Sequence, residues 1–434
     1  MNNKTINQLL CAFVISFLAT APKAQQQVQV QPQAEILHWW SSVGESAALR
    51  VLIDEFMDRG GLYYDSGKKN AAANIEEAIE RMANSYPPTL TLWNAGSDLD
   101  EMHVYGLLKP IRSPQLVQRL KDVLPRPVLD VVTRQDDIIA IPLTIHTENW
   151  MWYSQSLLGH TEINLSGDWS ELIGIGESLA EQGIPLLAVG DQQWQVRILF
   201  ASVFLGVSRD AYLDFYVSNN VDVVDSSAFR TTLEVFNQLA GYSESFEDGN
   251  WNTQIKAVTE NRAAANFMGD WVRGEFISLS KRAGVDYGCL LTSTEDPSVL
   301  MGVDVLVLGN MEEETETAGQ DLMIDVVTDE DNSLQFNALK GSISPYSQPD
   351  PAGMDICASQ VYAAIENEDA IIPPYQSYFV EGKEYAKHID RIIHEFWIAS
   401  LETDTDSTAL VAQAIKDFRT IFDHKAKELA LSNK

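Results

Sequence analysis

Two adjacent tryptophans, Trp39 and Trp40, are followed closely by a carboxylate, Glu45. They end a run, Ile36-Leu37-His38, that alternates like a strand, and Ser41-Ser42-Val43-Gly44 after them opens a helix. Such a junction exposes side chains and free N–H groups at a sheet edge, where open α/β folds bind ligands. Two indoles there form a flat apolar platform beside a planar acceptor. That combination suits a pyranose ring, which has a face to stack and hydroxyls to donate. Other readings stay open. Ser42-Val43-Gly44-Glu45 fits a capping box, in which the glutamate returns to the start of its own helix. Neighbouring residues on a strand point to opposite faces, so one indole belongs to the core unless the strand ends before the pair.

Further along, Ile145-His146-Thr147-Glu148-Asn149-Trp150-Met151-Trp152-Tyr153 mixes an imidazole and a carboxylate with three aromatics, suited to a site or to packing between domains. Met268-Gly269-Asp270-Trp271 places an indole after a strand-like run and a permissive glycine. Trp271 is then a cleft aromatic, or a buried helix start with Asp270 as its cap. Asp304 interrupts an apolar run, where an unpaired carboxylate is costly, so it needs donors nearby or a ligand with hydroxyls. Lys340-Gly341-Ser342 is by itself an ordinary loop sequence. There is no Gly-x-x-x-x-Gly-Lys phosphate loop and no Gly-x-Ser-x-Gly elbow. The seven histidines are scattered, and His388 and His394 fall on different helical faces, so no zinc pattern emerges. No catalytic set, metal or cofactor is expected.

Residues 1–24 read as a secretory signal peptide. Lys4 precedes an apolar run from Leu9 to Ala21, too short to span a bilayer, and small residues lead to a cleavage site after Ala24. No later segment approaches ~20 apolar residues, so the mature protein is expected to be exported and periplasmic. The formal net charge is −32, and loss of Lys4 and Lys23 makes the mature chain more acidic still. This argues against nucleic acid or an anionic membrane as partner, and serves equally as a solubility device in a salty habitat. Of three cysteines, Cys11 leaves with the leader, and Cys289 and Cys357 remain. In an oxidising compartment they form a disulfide or stay as two buried thiols.

Strand and helix patterns alternate throughout, the signature of an α/β fold. Leu49, Leu52, Ile53 and Phe56 recur at helical spacing up to Gly60-Gly61. A second helix is predicted from about Asn74 to Ser85, ended by Pro87-Pro88 and followed by a strand over Thr89–Trp93. Short buried strands are predicted over Asp137–Pro142, Ile184–Gly190, Ala263–Gly269 and Val303–Leu308, and the last hundred residues are mainly helical. Glu312-Glu313-Glu314 reads as a solvated loop or helix entrance.

Taken in order, these pieces resemble the extracellular solute-binding proteins of family 1, especially the glucose- and mannose-type periplasmic sugar-binding proteins of ABC transporters. The likeness runs from Glu35 to about Phe418. It rests on Trp39-Trp40 with Glu45, Asn149-Trp150-Met151-Trp152-Tyr153 after His146, Gly190-Asp191-Gln192-Gln193-Trp194-Gln195, Met268-Gly269-Asp270-Trp271, Val303-Asp304 and Leu339-Lys340-Gly341-Ser342-Ile343. The resemblance implies a two-lobed periplasmic-binding-protein fold (type II) with a hinge that the chain crosses several times. The implied lobes are 25–143 plus 300–348 and 144–299 plus 349–434. It also implies that Cys289 pairs with Cys357. Trp39 and Trp40 would meet a sugar's apolar face, Trp271 would stack from the other lobe, and Glu45, Asp304 and Lys340 would bind hydroxyls, with His146 near the hinge. The implied partners are a sugar and the membrane permease, and the protein would act as a monomer. Two departures leave the sugar open. Asn94 stands where the family usually has a lysine, and Pro373-Pro374-Tyr375-Gln376-Ser377-Tyr378 lacks the usual histidine. The function implied is delivery of a mono- or oligosaccharide to an ABC importer, and the alternatives are sensing through a membrane receptor and a secreted glycoside hydrolase using Glu45 and Asp304.

Overall fold

The computed structural model describes residues 30–96, 98–292, 298–373, 383–402 and 406–432. The leader and the segment Pro374–Tyr378 lie outside them.

Two mixed sheets carry the structure. In the first, the strands run in the order Ile371–Ile372, Val299–Leu308, Leu90–Asn94, Gln33–His38, Leu62–Gly67, and Ile141–Thr147 also pairs with Val299–Leu308. Gln33–His38 is parallel to both of its neighbours, while Val299–Leu308 is antiparallel to Leu90–Asn94 and Ile141–Thr147. The second sheet runs Tyr287–Leu291, Trp150–Ser154, Ala265–Met268, Leu187–Ala188, Ser243–Glu244, with the last three parallel.

The elements follow local chemistry. Helix Val43–Asp58 starts at a complete capping box on Ser42 and Glu45 and buries Ala48, Leu49, Leu52, Ile53 and Phe56. It ends beside Gly60, whose φ of +94° is left-handed backbone that glycine adopts freely. The second helix runs Ala71–Ala83, earlier than expected, because the Asn70 side chain caps it by accepting from Ala73 N–H. The strand expected over Ile184–Gly190 pairs only at Leu187–Ala188. It stops where the chain at Gly190 passes so close to the Gly249 carbonyl that a Cβ would lie 2.2 Å from it. The predicted strands at 137–142, 263–269 and 303–308 are present as Asp137–Ile138 with Ile141–Thr147, Ala265–Met268 and Val299–Leu308. Glu313 sits at the N-cap of helix Glu314–Val327, and the C-terminal part is helical over Lys383–Ser400 and Ser407–Ser432.

An aromatic core lies beneath the second sheet. Phe200 packs on Phe236 at 5.3 Å and Phe215 on Phe422 at 5.2 Å, which docks the last helix. Trp150 and Trp152 are fully buried, and Trp152 donates its Nε1–H to the Met268 carbonyl, so the aromatics of that segment pack the core. Cys289 and Cys357 are disulfide-bonded, tying strand Tyr287–Leu291 to helix Ile356–Ile365. Closing a loop of 68 residues is worth about 4 kcal/mol in the chain-entropy picture.

The chain passes from the first sheet to the second at Glu148-Asn149 and returns between Leu291 and Val299. One side chain ties both passages. Asn149 Nδ2 donates to the carbonyls of Thr292 (2.5 Å) and Ser298 (3.0 Å), and Asn149 Oδ1 accepts from Leu300 N–H (2.8 Å). Among the described residues no helix is long and apolar enough to cross a membrane.

Candidate sugar site

A cavity of about 410 Å³ opens where parallel strands of both sheets end and helices begin, and all eight residues singled out from the sequence line it. From the first sheet come Trp39, Trp40 and Glu45 after Gln33–His38, Asn94 at the end of its strand, His146, Asp304, and Lys340. From the second come Trp271 after Ala265–Met268, Gln192 and Trp194 after Leu187–Ala188, and Trp251 with its flanking asparagines after Ser243–Glu244. This is the carboxyl-end crevice where open α/β sheets place their ligands.

The strand ends at His38, before the tryptophan pair, so both indoles turn toward the cavity. Trp39 is partly buried. Trp40 is 4% exposed, packs on Phe336 at 5.5 Å and has Lys340 Nζ 5.3 Å from its ring centroid. A cation over an indole face is attracted by the ring quadrupole.

Glu45 does two jobs. Its Oε2 accepts from the N–H groups of Ser41 (3.2 Å) and Ser42 (3.1 Å), completing the capping box. Its Oε1 receives Lys340 Nζ at 3.4 Å. Lys340 is 3% exposed and closes helix Glu330–Lys340, where a cation complements the helix dipole. Gly341 follows with φ +85°, and a Cβ there would lie 2.4 Å from Gly274 N, so this turn requires glycine.

A chain of charge-assisted bonds crosses the cavity floor. His146 Nδ1 lies 2.6 Å from Asp270 Oδ1, and its Nε2 lies 3.3 Å from Asp304 Oδ2. Asp304 Oδ1 accepts from Asn94 Nδ2 at 2.6 Å. Burial disfavours a charged imidazole, but Asp270 and then Asp304 outweigh it and push His146 up to about 9. The ring is therefore protonated at neutral pH and donates to both carboxylates. Burial would raise Asp304, but His146, Lys340 and Asn94 together hold it below the usual carboxylate range. Burial raises Glu148, offset in part by Arg197 at 3.7 Å.

Asp270 does not cap the helix Val272–Ser278. Trp271 occupies the N-cap position, while the Asp270 carboxylate accepts from Thr147 N–H and Oγ1–H, both at 2.9 Å. Trp271 stands edge-on to His146 at 5.0 Å and lies 6.2 Å from Trp194. A Cβ on Gly269 would fall 2.1 Å from the Trp271 ring, so the indole reaches the cavity only past a glycine. The two halves also touch directly, where Gly44 N–H donates to Glu275 Oε1 at 2.9 Å.

Trp251, Asn250 and Asn252 line the cavity although nothing in the sequence marked them; the available signal was Gly249-Asn250-Trp251 opening a helix after a short strand. Among the described residues, no group of three or more His, Cys, Asp or Glu has the arrangement to hold a metal ion.

No family model matches the chain. It is similar to a probable sugar-binding periplasmic protein of Brucella suis biovar 1 (strain 1330), 26% identical over 365 residues, covering 83% of this chain and 85% of that one. A protein of the same description from Rhizobium meliloti (strain 1021) is 27% identical over 347 residues, covering 79% and 81%. Among solved structures, a bacterial solute receptor, AcbH, described as having an exclusive preference for β-D-galactopyranose, superposes with TM-score 0.71 at 14% identity over 92% of this chain and 99% of its own. A chitin oligosaccharide binding protein does so with TM-score 0.71 at 17% identity, over 91% and 100%. The chain therefore has the two-lobed α/β fold of the periplasmic solute receptors, as its sequence resemblance implied.

Proposed function

We propose that this chain is a periplasmic sugar-binding protein that delivers a mono- or oligosaccharide to an ABC importer. The observation that carries this reading is the convergence of indoles from both sheets on one cavity whose polar floor consists of charge-paired side chains. A pyranose has an apolar face for Trp39, Trp40 and Trp271 and equatorial hydroxyls for Glu45, Asn94, His146, Asp304 and Lys340. Bonds to ionised partners are strong, and their cost in desolvation makes them selective. The relatives named as sugar-binding periplasmic proteins support the same reading.

The lobes are read as 25–143 plus 300–348 and 144–299 plus 349–434, after loss of the 1–24 leader. Ligand would bridge them and shift a population from open to closed forms, and the closed form would present both lobes to the permease. The protein is read as a monomer. The glucose- and mannose-type preference stays part of the proposal, with Asn94 altering one hydroxyl partner.

A glycoside hydrolase is the rival that one observation favours: Glu148 is raised and Asp304 lowered, and divergent carboxylates are what acid–base pairs use. Glu45, the acid that the hydrolase alternative would use, is engaged by its helix and by Lys340. The deciding experiment is a thermal-shift panel of mono- and disaccharides on the mature protein, run beside chromogenic glycosides. A stabilising sugar without turnover supports the receptor. Turnover abolished by Glu148→Gln supports the hydrolase, and no shift with any sugar removes the receptor reading.

A further inference from the structure

Three helices whose ends carry cavity residues converge, and each does so at a glycine. Helix Val43–Asp58 presents Glu45 and meets the others at Gly44. Helix Glu330–Lys340 presents Lys340 and ends at Gly341. Helix Val272–Ser278 enters from the second sheet behind Trp271 and meets the other two at Gly274. The approach leaves no room for side chains. A Cβ on Gly44 would lie 2.8 Å from the Gly274 carbonyl carbon, and one on Gly274 would lie 2.6 Å from the Leu339 carbonyl oxygen. With Gly341 already fixed against Gly274 N, the backbones of both halves touch directly.

Two buried hydrogen bonds cross this junction. Glu275 accepts from Gly44 N–H at 2.9 Å, and Arg273 donates its Nη1–H to the Gly341 carbonyl at 2.9 Å. Both side chains are 6% exposed, and neither lines the cavity. The first bond finishes a helix start from 231 residues away. The capping box serves the N–H groups of Ser41, Ser42 and Glu45, and Gly44 N–H is left to Glu275. The helix dipole favours a carboxylate at that end.

The two faces of helix Val272–Ser278 differ in how readily they can part. Toward the second sheet, Phe276 stacks on Tyr287 at 3.8 Å and meets Trp152 at 5.9 Å, so separation there would expose apolar rings. Toward the first sheet lie only glycine backbone, a carboxylate and a guanidinium, all of which water can solvate once they separate. The molecule therefore opens on the glycine side.

We infer that Glu275 and Arg273 form a closure latch: they bond Gly44 and Gly341 only when the cavity is closed, and so raise sugar affinity without touching the sugar. They are positioning residues, and the three glycines set how closely the halves meet. This rests on the sugar-receptor reading and adds to it what holds the closed form.

The test is calorimetric titration of the mature protein with glucose, galactose, mannose, xylose, N-acetylglucosamine, maltose and cellobiose, beside melting temperatures without sugar. Glu275→Ala is expected to weaken every sugar that wild type binds by about 10-fold, and by one common factor, because the lost bond is not to the sugar. Its unliganded melting temperature should stay within about 2 °C of wild type, since the open form already lacks the bond. Glu275→Gln, whose amide oxygen still accepts from Gly44 N–H, should recover most of the affinity. Gly44→Ala drives a Cβ against Gly274 and should weaken binding likewise. Alanine's better helix propensity should keep its unliganded melting temperature level or higher, which separates the effect from a folding defect. A drop of more than about 2 °C in unliganded Glu275→Ala would make the junction a permanent seam, and unchanged affinity would give it no part in closure; either result overturns the latch. Losses that differ between sugars by more than about 3-fold would make Glu275 selective for the ligand itself and also overturn it. Absence of binding by every sugar would overturn the receptor reading, a result distinct from binding that Glu275→Ala leaves unchanged.

Discussion

His146 Nδ1 lies 2.6 Å from Asp270 Oδ1, joining the end of a strand in one sheet to the turn after a strand in the other. Because the imidazole also faces Asp304 at 3.3 Å, it is the cation that allows two carboxylates to share a buried floor. A single proton on this ring therefore couples the two halves of the molecule.

The pH dependence follows from that proton. His146 has its pKa raised from 6.5 to about 9 in the folded protein, so the stability it contributes is complete below about pH 6.5 and is lost as pH rises through about 9. Wild type should lead His146→Gln in melting temperature at pH 6, and that lead should shrink toward pH 9.5. Asp304, whose pKa is lowered, acts in the opposite direction, and its contribution fades only as pH falls through its depressed value. A melting-temperature gap that is the same at pH 6 and pH 9.5 would exclude a charged His146.

Asn149 is the next case. Its carboxamide partners three backbone groups on the two passages between the sheets, and its own exposure is 0%. Each buried polar group left unsatisfied costs roughly 1–3 kcal/mol, so Asn149→Ala should lose about 3 kcal/mol or more in urea unfolding. Asn149→Asp should fare no better, since a carboxylate cannot donate to Thr292 and Ser298. A loss under about 1 kcal/mol would show that water replaces the staple.

The site was legible in the sequence where it is built from local junctions. Trp39, Trp40 and Glu45 sit on a strand end and a capped helix start, and both patterns are written in consecutive residues. Asp304 declared itself as a carboxylate in an apolar strand, whereas Lys340-Gly341-Ser342 is an ordinary loop sequence and Lys340 was marked only by the family resemblance. Asn149 and Gln192 lie in segments that carry the family resemblance, but nothing local announced their bonds or that of Asn250, because the partners lie far off in the chain, 151 residues away for Leu300 and 58 for the Gln192–Asn250 pair. Asp270 as a helix cap was one of two readings left open, for the same reason. Its position invites a local cap, but a buried imidazole 124 residues away claims the carboxylate instead.

Asn94 allows a test of ligand choice. Its amide donates to Asp304 at 2.6 Å without adding charge. Asn94→Lys, restoring the residue usual in the resembled family, adds a third cation beside a carboxylate that already feels His146 and Lys340. Two effects are expected in a fluorescence titration across a sugar panel. The order of preference among hexose epimers should change, with Kd ratios moving by about 5- to 10-fold, because a site that bonds particular hydroxyls discriminates by leaving groups unpaired. The variant should also release His146 partly from Asp304. Unchanged ratios would remove Asn94 from the set of hydroxyl partners.

Glu45 separates stability from binding within one side chain, and two neighbours allow each role to be removed alone. Ser42 Oγ accepts Glu45 N–H at 3.2 Å, and this half of the capping box does not involve Lys340. Ser42→Ala should therefore cost about 1 kcal/mol of stability, the usual value of a lost N-cap, with sugar affinity changed by less than about 2-fold. Lys340→Met keeps a long apolar stem against Trp40 but removes the ammonium that pairs with Glu45 at 3.4 Å. It should weaken sugar binding by about 10-fold or more, since a hydrogen bond from a charged donor contributes roughly 1.5–3 kcal/mol. Its melting temperature should change far less than that of a core variant such as Phe200→Ala, which loses about 3–5 kcal/mol by opening a cavity among buried rings. If Lys340→Met left affinity intact while lowering stability, the lysine would be a structural partner of Glu45, and the charged end of the site would lose one of its donors.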